Sequence, residues 1–230
     1  MAAVKSQLEG KCLSEYESKK VLREYGIPLA AETLAKSVDD ALAFAERAGY
    51  PLVMKVDSPD IPHKTEAGVV KLNIGDAHAV RTAYDDLLKK AKAYDPNASI
   101  NGVLVQEMVK GGTEVIIGVK KDPQFGPTVL FGLGGIFVEV MKDFSLRIAP
   151  ISMTEAMEMI DDTKGARILR GVRGRKPADI NALCETLVKI SLMAIDNKDR
   201  ISELDLNPVI VLPEGEGVRV VDALIITEQS

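Results

Sequence analysis

The chain has 230 residues, enough for one large domain or two small lobes with a substantial buried core. It is 46% hydrophobic and 27% charged with a formal net charge of −5, a globular composition with no general basic surface for nucleic acid or anionic lipid. No apolar run approaches the roughly 18 residues of a membrane span, and tryptophan is absent, which argues against an aromatic base-stacking platform.

Residues 1–10 lack the cationic start and apolar centre of a secretion signal. Cys12 and Cys184 are far apart and have no metal-ligand spacing, so they read as free thiols in a reducing, cytoplasmic compartment. Ser14 and Glu17 have capping-box spacing, and Tyr16, Val21, Leu22 and Tyr25 follow at helical intervals until Gly26 and Pro28. Residues 29–35 read as a short strand. A second helix starts at Ser37, carries Ala41, Leu42, Ala45 and Ala48, and stops at Gly49-Tyr50-Pro51. Residues 51–56 and 68–74 read as strands, 76–93 as an amphipathic helix with Val80, Tyr84, Leu87 and Leu88 inside, and 102–109 as another strand. These elements predict an α+β lobe over residues 1–109.

The remainder, 110–230, predicts a second lobe that is richer in strands. Runs at 113–121, 127–131 and 136–141 are short and separated by glycine and proline turns. Ser152 and Glu155 repeat the capping-box spacing, 180–194 is a long helix, and 201–212 and 218–226 close the chain as two strands. No repeat or low-complexity segment interrupts this pattern of two lobes with a cleft between them.

The chemistry concentrates in the segment from Ser58 to Lys71, where His63 sits in a loop restrained by Pro59 and Pro62. Lys55 lies within an apolar run, where an ammonium is costly unless it meets an anion. From residue type alone, His63 reads more often as a surface histidine than as a nucleophilic imidazole. Lys55 and Lys71 read either as edge lysines reaching water or as phosphate partners. Arg147, in an apolar context, is a candidate for neutralising a terminal phosphate. Further on, strand alternation puts Glu203, Asp205 and Asn207 on one face, with Asp222 in the next strand; hard oxygen ligands of this kind suit Mg²⁺. The glycine-rich run 131–137 reads as a tight hairpin or as backbone amides approaching a phosphate.

The His63-Lys64-Thr65-Glu66-Ala67-Gly68-Val69 segment, Glu203-Leu204-Asp205-Leu206-Asn207-Pro208 and Arg170-Gly171-Val172-Arg173-Gly174 occur in an order that resembles the β subunit, or β domain, of ADP-forming acyl-CoA (acetyl-CoA) synthetases. The resemblance runs from Leu13 to Ile226 and departs at Val69, where the family has a second glycine. It implies an α+β, two-lobed ATP-grasp fold with ATP or ADP between the lobes. His63 is then the phosphohistidine, and Lys55 and Lys71 pair with phosphate. The backbone of Glu107 and Val109 meets the adenine edge, with Met108 beside the ring and Glu114 on the ribose. Mg²⁺ goes to Asn207 and Asp222, and to Asp205 beside them. No dinucleotide fingerprint for CoA is present, so the resemblance also implies a separate α subunit that carries the CoA and acyl-phosphate sites, in an α2β2 assembly. Two other readings share the fold: a β subunit like that of succinyl-CoA synthetase, a family that lacks this His-Lys-Thr-Glu loop, and a non-catalytic ATP-sensing domain.

Overall fold

The computed structural model describes residues 12–134, 142–172, 174 and 176–228. The run 136–141, read as a strand, and part of the glycine-rich run 131–137 lie outside the described residues, as does Arg173. The chain divides into two compact units. One consists of Ser14–Tyr16 and Ala30–Val109, and the other of Leu13, Glu17–Leu29 and the described residues from Lys110 onward. The first helix, α1 (Glu15–Glu24), therefore gives its first two residues to the former unit and the rest to the latter. A single cut at 109 does not make this division, because Val21 and Leu22 bury against the core of the second unit.

In the first unit, β1 (Glu32–Ala35), α2 (Val38–Ala48), β2 (Leu52–Asp57), β3 (Val70–Ile74), α3 (Ala77–Tyr94) and β4 (Gly102–Glu107) follow in sequence. Ser37 caps α2 through a full capping box with Asp40, and Asp76 caps α3 by accepting the Ala79 N–H at 2.8 Å. The strands form an antiparallel sheet in the order β1-β4-β2-β3. Met54 and Val56 face the helices and join Val80, Leu87, Val103 and Val105 in the core. β2 is nevertheless buried along its whole length. Its other face, with Val53, Lys55 and Asp57, meets the start of α1, where the Tyr16 N–H donates to Asp57 Oδ1 at 2.9 Å.

The second unit holds β5 (Thr113–Asp122), β6 (Gly126–Leu133), β7 (Phe144–Ile148), β8 (Ile201–Val211), β9 (Val218–Val220) and β10 (Leu224–Thr227), with α4 (Met153–Asp161), α5 (Ala166–Leu169) and α6 (Ile180–Asp196). Its antiparallel sheet has the order β10-β8-β5-β6-β7, and β9 pairs with β8. One face is the core: Val115, Ile117, Val119, Val129, Phe131, Leu204 and Leu206 pack with Met159, Leu187 and Ile190 of the helices. The other face carries the alternate residues of the same strands. β7 was not evident from sequence because its pattern is inverted, with Ser145 buried while Phe144, Leu146 and Ile148 are exposed. The final run, read as one strand over 218–226, is broken at 221–223, which places Asp222 in the connection between β9 and β10.

Gly111 (φ 75°) and Gly112 (φ 78°) open the second unit just before β5. A Cβ on Gly112 would sit 2.6 Å from Ile210 Cγ2 and 2.7 Å from the Val211 carbonyl oxygen, whereas one on Gly111 meets nothing within 4 Å. Gly111→Ala is expected to lower the unfolding free energy by about 1 kcal/mol from backbone strain alone. Gly112→Ala adds the clash, for a total of about 2–4 kcal/mol. Urea denaturation of both variants checks this, and equal losses would remove the steric argument.

Candidate functional site

His63 is exposed at the start of a compact turn. The Ala67 N–H donates to the His63 carbonyl at 3.1 Å, the Gly68 N–H to the Thr65 carbonyl at 3.1 Å, and the Val69 N–H to the Lys64 carbonyl at 3.0 Å. Gly68 takes φ +67°, which an L side chain adopts only with strain. The turn is rooted at both ends: Ser58 and Ile61 are buried before it, and Val69 is fully buried in the core after it. Val69 is thus a core residue, and the departure from the family's second glycine lies in packing.

Beneath the segment is a charge cluster. Lys55 is only 5% exposed and its Nζ lies 2.8 Å from Oε1 of Glu15, while Lys64 Nζ lies 3.1 Å from Oε2 of the same carboxylate. Lys55 is therefore not an edge lysine reaching water. Its counter-ion is a helix carboxylate that sequence reasoning did not single out, since nothing local marks Glu15 for burial. Lys71, on β3, reaches Asp86 Oδ2 at 3.0 Å, and Lys90 meets the same oxygen at 3.0 Å. The hydrogen bond to Asp86 raises the Lys71 ammonium above its ordinary value.

At the end of β4 the backbone is partly committed. The Glu107 N–H donates to the Ala31 carbonyl at 2.9 Å and the Met108 N–H to the Pro51 carbonyl at 3.2 Å. The Glu107 carboxylate accepts the Ala31 N–H at 2.8 Å, so the side chain braces β1. Any ligand contact from Glu107 through its backbone therefore falls to its carbonyl. Val109 ends this unit.

In the second unit the open sheet face forms a cavity of about 660 Å³, with Ile116, Leu130, Phe144 and Leu146 as an apolar floor and Asp205 and Asn207 at one side. Register explains the grouping: Leu146 pairs with Leu130, Leu130 with Gly118, and Gly118 with Asp205, so one row crosses four strands. The pairing shifts from Ile117↔Leu206 to Val115↔Val209, leaving Asn207 and Pro208 opposite Ile116 alone. This is a bulge at a residue without an N–H: Asn207 keeps the outward face of Asp205, and the extra residue returns Val209 to the core. Asp222 is brought alongside because the Val221 N–H donates to the Pro208 carbonyl at 3.1 Å. The fully buried Lys19 of α1 donates to the Val221 carbonyl at 2.8 Å. Glu114 is exposed and, by alternation with Ile116 and Gly118, lies on this same face.

Burial raises the Asp205 carboxyl above its ordinary range, and the nearby Asp222 and Glu203 charges raise it further. Among the described residues no three His, Cys, Asp or Glu side chains converge to hold a metal by themselves. Crowded carboxylates with an amide oxygen do fit Mg²⁺, which uses one or two protein carboxylates and retains waters or phosphate oxygens. Arg147 stands apart from this group, with a carboxylate partner of its own. It pairs in register with the core residue Val129, so it is turned to the helix-covered face, and its guanidinium lies 2.6 Å from Asp162 Oδ2.

The chain matches the model of the ATP-grasp domain over residues 4–227. It is 51% identical over 212 residues to the β subunit of acetate–CoA ligase (ADP-forming) II from Pyrococcus furiosus, covering 92% of this chain and 90% of that one. It is 47% identical to 4-hydroxybutyrate–CoA ligase (ADP-forming) from Nitrosopumilus maritimus, covering 93% of this chain but 30% of that longer protein. A dinucleotide-forming acetyl-coenzyme A synthetase 1 from Ca. Korarchaeum cryptofilum was solved with coenzyme A, acetyl-coenzyme A and a phosphorylated phosphohistidine segment (TM-score 0.85, 44% identity, 95% of this chain and 94% of that one). It was also solved with coenzyme A and Mg-AMPPCP, the phosphohistidine segment pointing towards the nucleotide binding site (TM-score 0.81, 41% identity, 95% and 93%). With a match of this extent, the chain belongs to the ATP-grasp family, in the group that includes the β subunits of ADP-forming acetate–CoA ligases.

Proposed function

We propose that this chain is the nucleotide-handling β subunit of an ADP-forming acyl-CoA ligase, working with a separate α subunit in an α2β2 assembly in the cytoplasm. The overall reaction is acyl-CoA + ADP + phosphate ⇌ carboxylate + CoA + ATP. The observation that carries the reading is His63 itself, exposed on a tight turn between buried roots with two lysines at its base. A ring nitrogen presented in this way can accept a phosphoryl group formed on the partner. The N–P bond then breaks as a terminal oxygen of ADP forms its own bond to phosphorus, which restores the free imidazole. Donor and acceptor must come into near contact for each transfer.

Lys55 and Lys71 are the phosphate-pairing cations in this reading: Lys71 must exchange Asp86 for a phosphate oxygen, whereas the Lys55 ammonium, with three donors, adds a phosphate oxygen while it keeps Glu15. The adenine edge takes the Glu107 carbonyl and the Val109 backbone, with Met108 beside the ring, and the ribose takes Glu114. As the ATP-grasp resemblance implies, the nucleotide draws contacts from both units. Asn207, Asp222 and Asp205 would hold Mg²⁺, which when bound neutralises phosphate charge. Arg147 would neutralise a terminal phosphate only by exchanging Asp162 for it. The buried core position of Val69 supports a moving part limited to 62–68, shorter than a segment hinged at Ser58.

Three measurements test the reading. With the α subunit and labelled ATP, His63 is expected to carry an acid-labile, base-stable phosphoryl group. His63→Ala should lower net ATP formation by more than about three orders of magnitude while leaving ADP affinity intact. Near-normal turnover in that variant would favour direct transfer, and unchanged nucleotide binding with no labelling of the wild type would favour the ATP-sensing reading.

Asp222→Asn keeps size but removes a hard anionic ligand. It should weaken ADP binding about tenfold with Mg²⁺ present and little without it. An equal loss in both conditions would make Asp222 structural.

The Asp205 carboxyl is raised in the folded state, so over the window above its unfolded value the native protein binds more protons than the unfolded chain. Its contribution to stability then falls as pH rises through that window, and at neutral pH the charged form is a full cost. Asp205→Asn should therefore raise the melting temperature at neutral pH in the absence of metal, with the gain gone by about pH 3. The same variant should weaken Mg²⁺-dependent ADP binding. A lower melting temperature at neutral pH would contradict the repulsion argument.

A further inference from the structure

The two ammoniums on Glu15 belong to different kinds of structure. Lys55 is on β2, a strand buried along its length, whereas Lys64 is on the exposed turn, one residue past His63. The Glu15 side chain has no exposure and that of Lys64 only 11%, so salt screens their attraction far less than it would a surface pair. The rest of the turn is held by its own backbone hydrogen bonds from Ala67, Gly68 and Val69, which close the turn on itself. Lys64 ties that closed unit to the body, and Glu15 is rigidly presented because the adjacent Tyr16 N–H is bonded to the buried Asp57.

We propose that Glu15 is a positioning residue whose carboxylate docks the His63 segment through Lys64, and that the segment leaves its docked position when this ion pair opens. Pairing two lysines with one carboxylate makes such a release feasible. A buried carboxylate stripped of its partner is strongly unfavourable, but here Lys55 stays on Oε1 while Lys64 is away. The departing ammonium is near the surface and regains water, so neither charge is left stranded. A single lysine on Glu15 would have locked the segment, and none would have left it undocked. The role of the dock in the reaction rests on the phosphohistidine reading of His63, but its existence does not, and the two can fail separately.

The test is hydrogen–deuterium exchange on the full chain, comparing wild type with Lys64→Gln and Lys64→Arg. Both substitutions leave the Lys55–Glu15 pair in place, which Glu15→Gln would not. In Lys64→Gln the amides of residues 62–69 should exchange at least about tenfold faster while β2 is unchanged, and Lys64→Arg should return to within about twofold of wild type. Unchanged exchange at 62–69 in Lys64→Gln overturns the proposal. So does acceleration that spreads into β2 and β3 with a lower melting temperature, because Lys64 would then be a packing residue. Failure of Lys64→Arg to restore protection also overturns it, since the dock depends on charge. A docked segment in a protein whose His63 takes no label would sink the phosphohistidine reading and leave the dock standing.

Discussion

A buried carboxylate has to be matched by positive charge, and Glu15 satisfies that demand with Lys55 and Lys64 together. Leaving a buried charge without its last partner typically costs about 3–5 kcal/mol, comparable to much of a domain's net stability, so Glu15 and Lys55 depend on each other. The constraint organises what lies around it. Lys55 can occupy a fully buried strand only because Glu15 is there, and Glu15 is there because α1 begins against β2, where the Tyr16 N–H meets Asp57. The exposed turn with His63 gains its one-residue proximity to this cluster through Lys64. A cation that a phosphate would seek is thus kept charged and oriented by a counter-ion that it shares with Lys64.

The open face of the larger sheet shows the opposite economy. Burial of Asp205, with the charges of Asp222 and Glu203 close by, raises its carboxyl, and stability is lost in doing so. Beside them lies an apolar floor in which Phe144, Leu146 and Ile148 remain exposed although they lie on a regular strand. Apolar area left to water and like charges held together are both unfavourable in the free protein. Under the proposed function, each is relieved by a ligand with a flat apolar part and a cation-bound anionic part.

Much of the fold was legible. The helix starts read at Ser37 and, from its capping-box spacing, at Ser152 are reproduced, and both carry capping boxes, because a cap is a contact between residues three apart and needs no tertiary partner. β2, β4, β5 and β8 stand out as apolar runs for the same local reason. β7 did not stand out, because its apolar residues face outward and Ser145 is the buried one, bonded to the Met159 carbonyl at 2.7 Å. The connection holding Asp222 was hidden inside a continuous β-branched run, since the break there is made by Lys19 and Pro208 from other parts of the chain.

The candidate site divides along the same line. Alternation within β8 was enough to group Asp205 with Asn207, and the prolines around His63 were enough to mark an exposed, restrained loop, because both are properties of near neighbours. The partner of Lys55, forty positions away, was not readable, nor was the face to which Arg147 turns. A charge in an apolar run declares that it needs a counter-ion, but which carboxylate arrives is settled only when a helix packs on a strand. Arg147 follows the same logic. Its residue type permits a phosphate or a carboxylate, and the register of β7 against β6, with Asp162 waiting at the end of α4, selects the carboxylate. Chain-local periodicity therefore specified the elements and the chemistry available on each, while long-range packing chose the partners, since the free energy of a buried charge depends on groups distant in sequence that only the folded chain brings within a few ångströms.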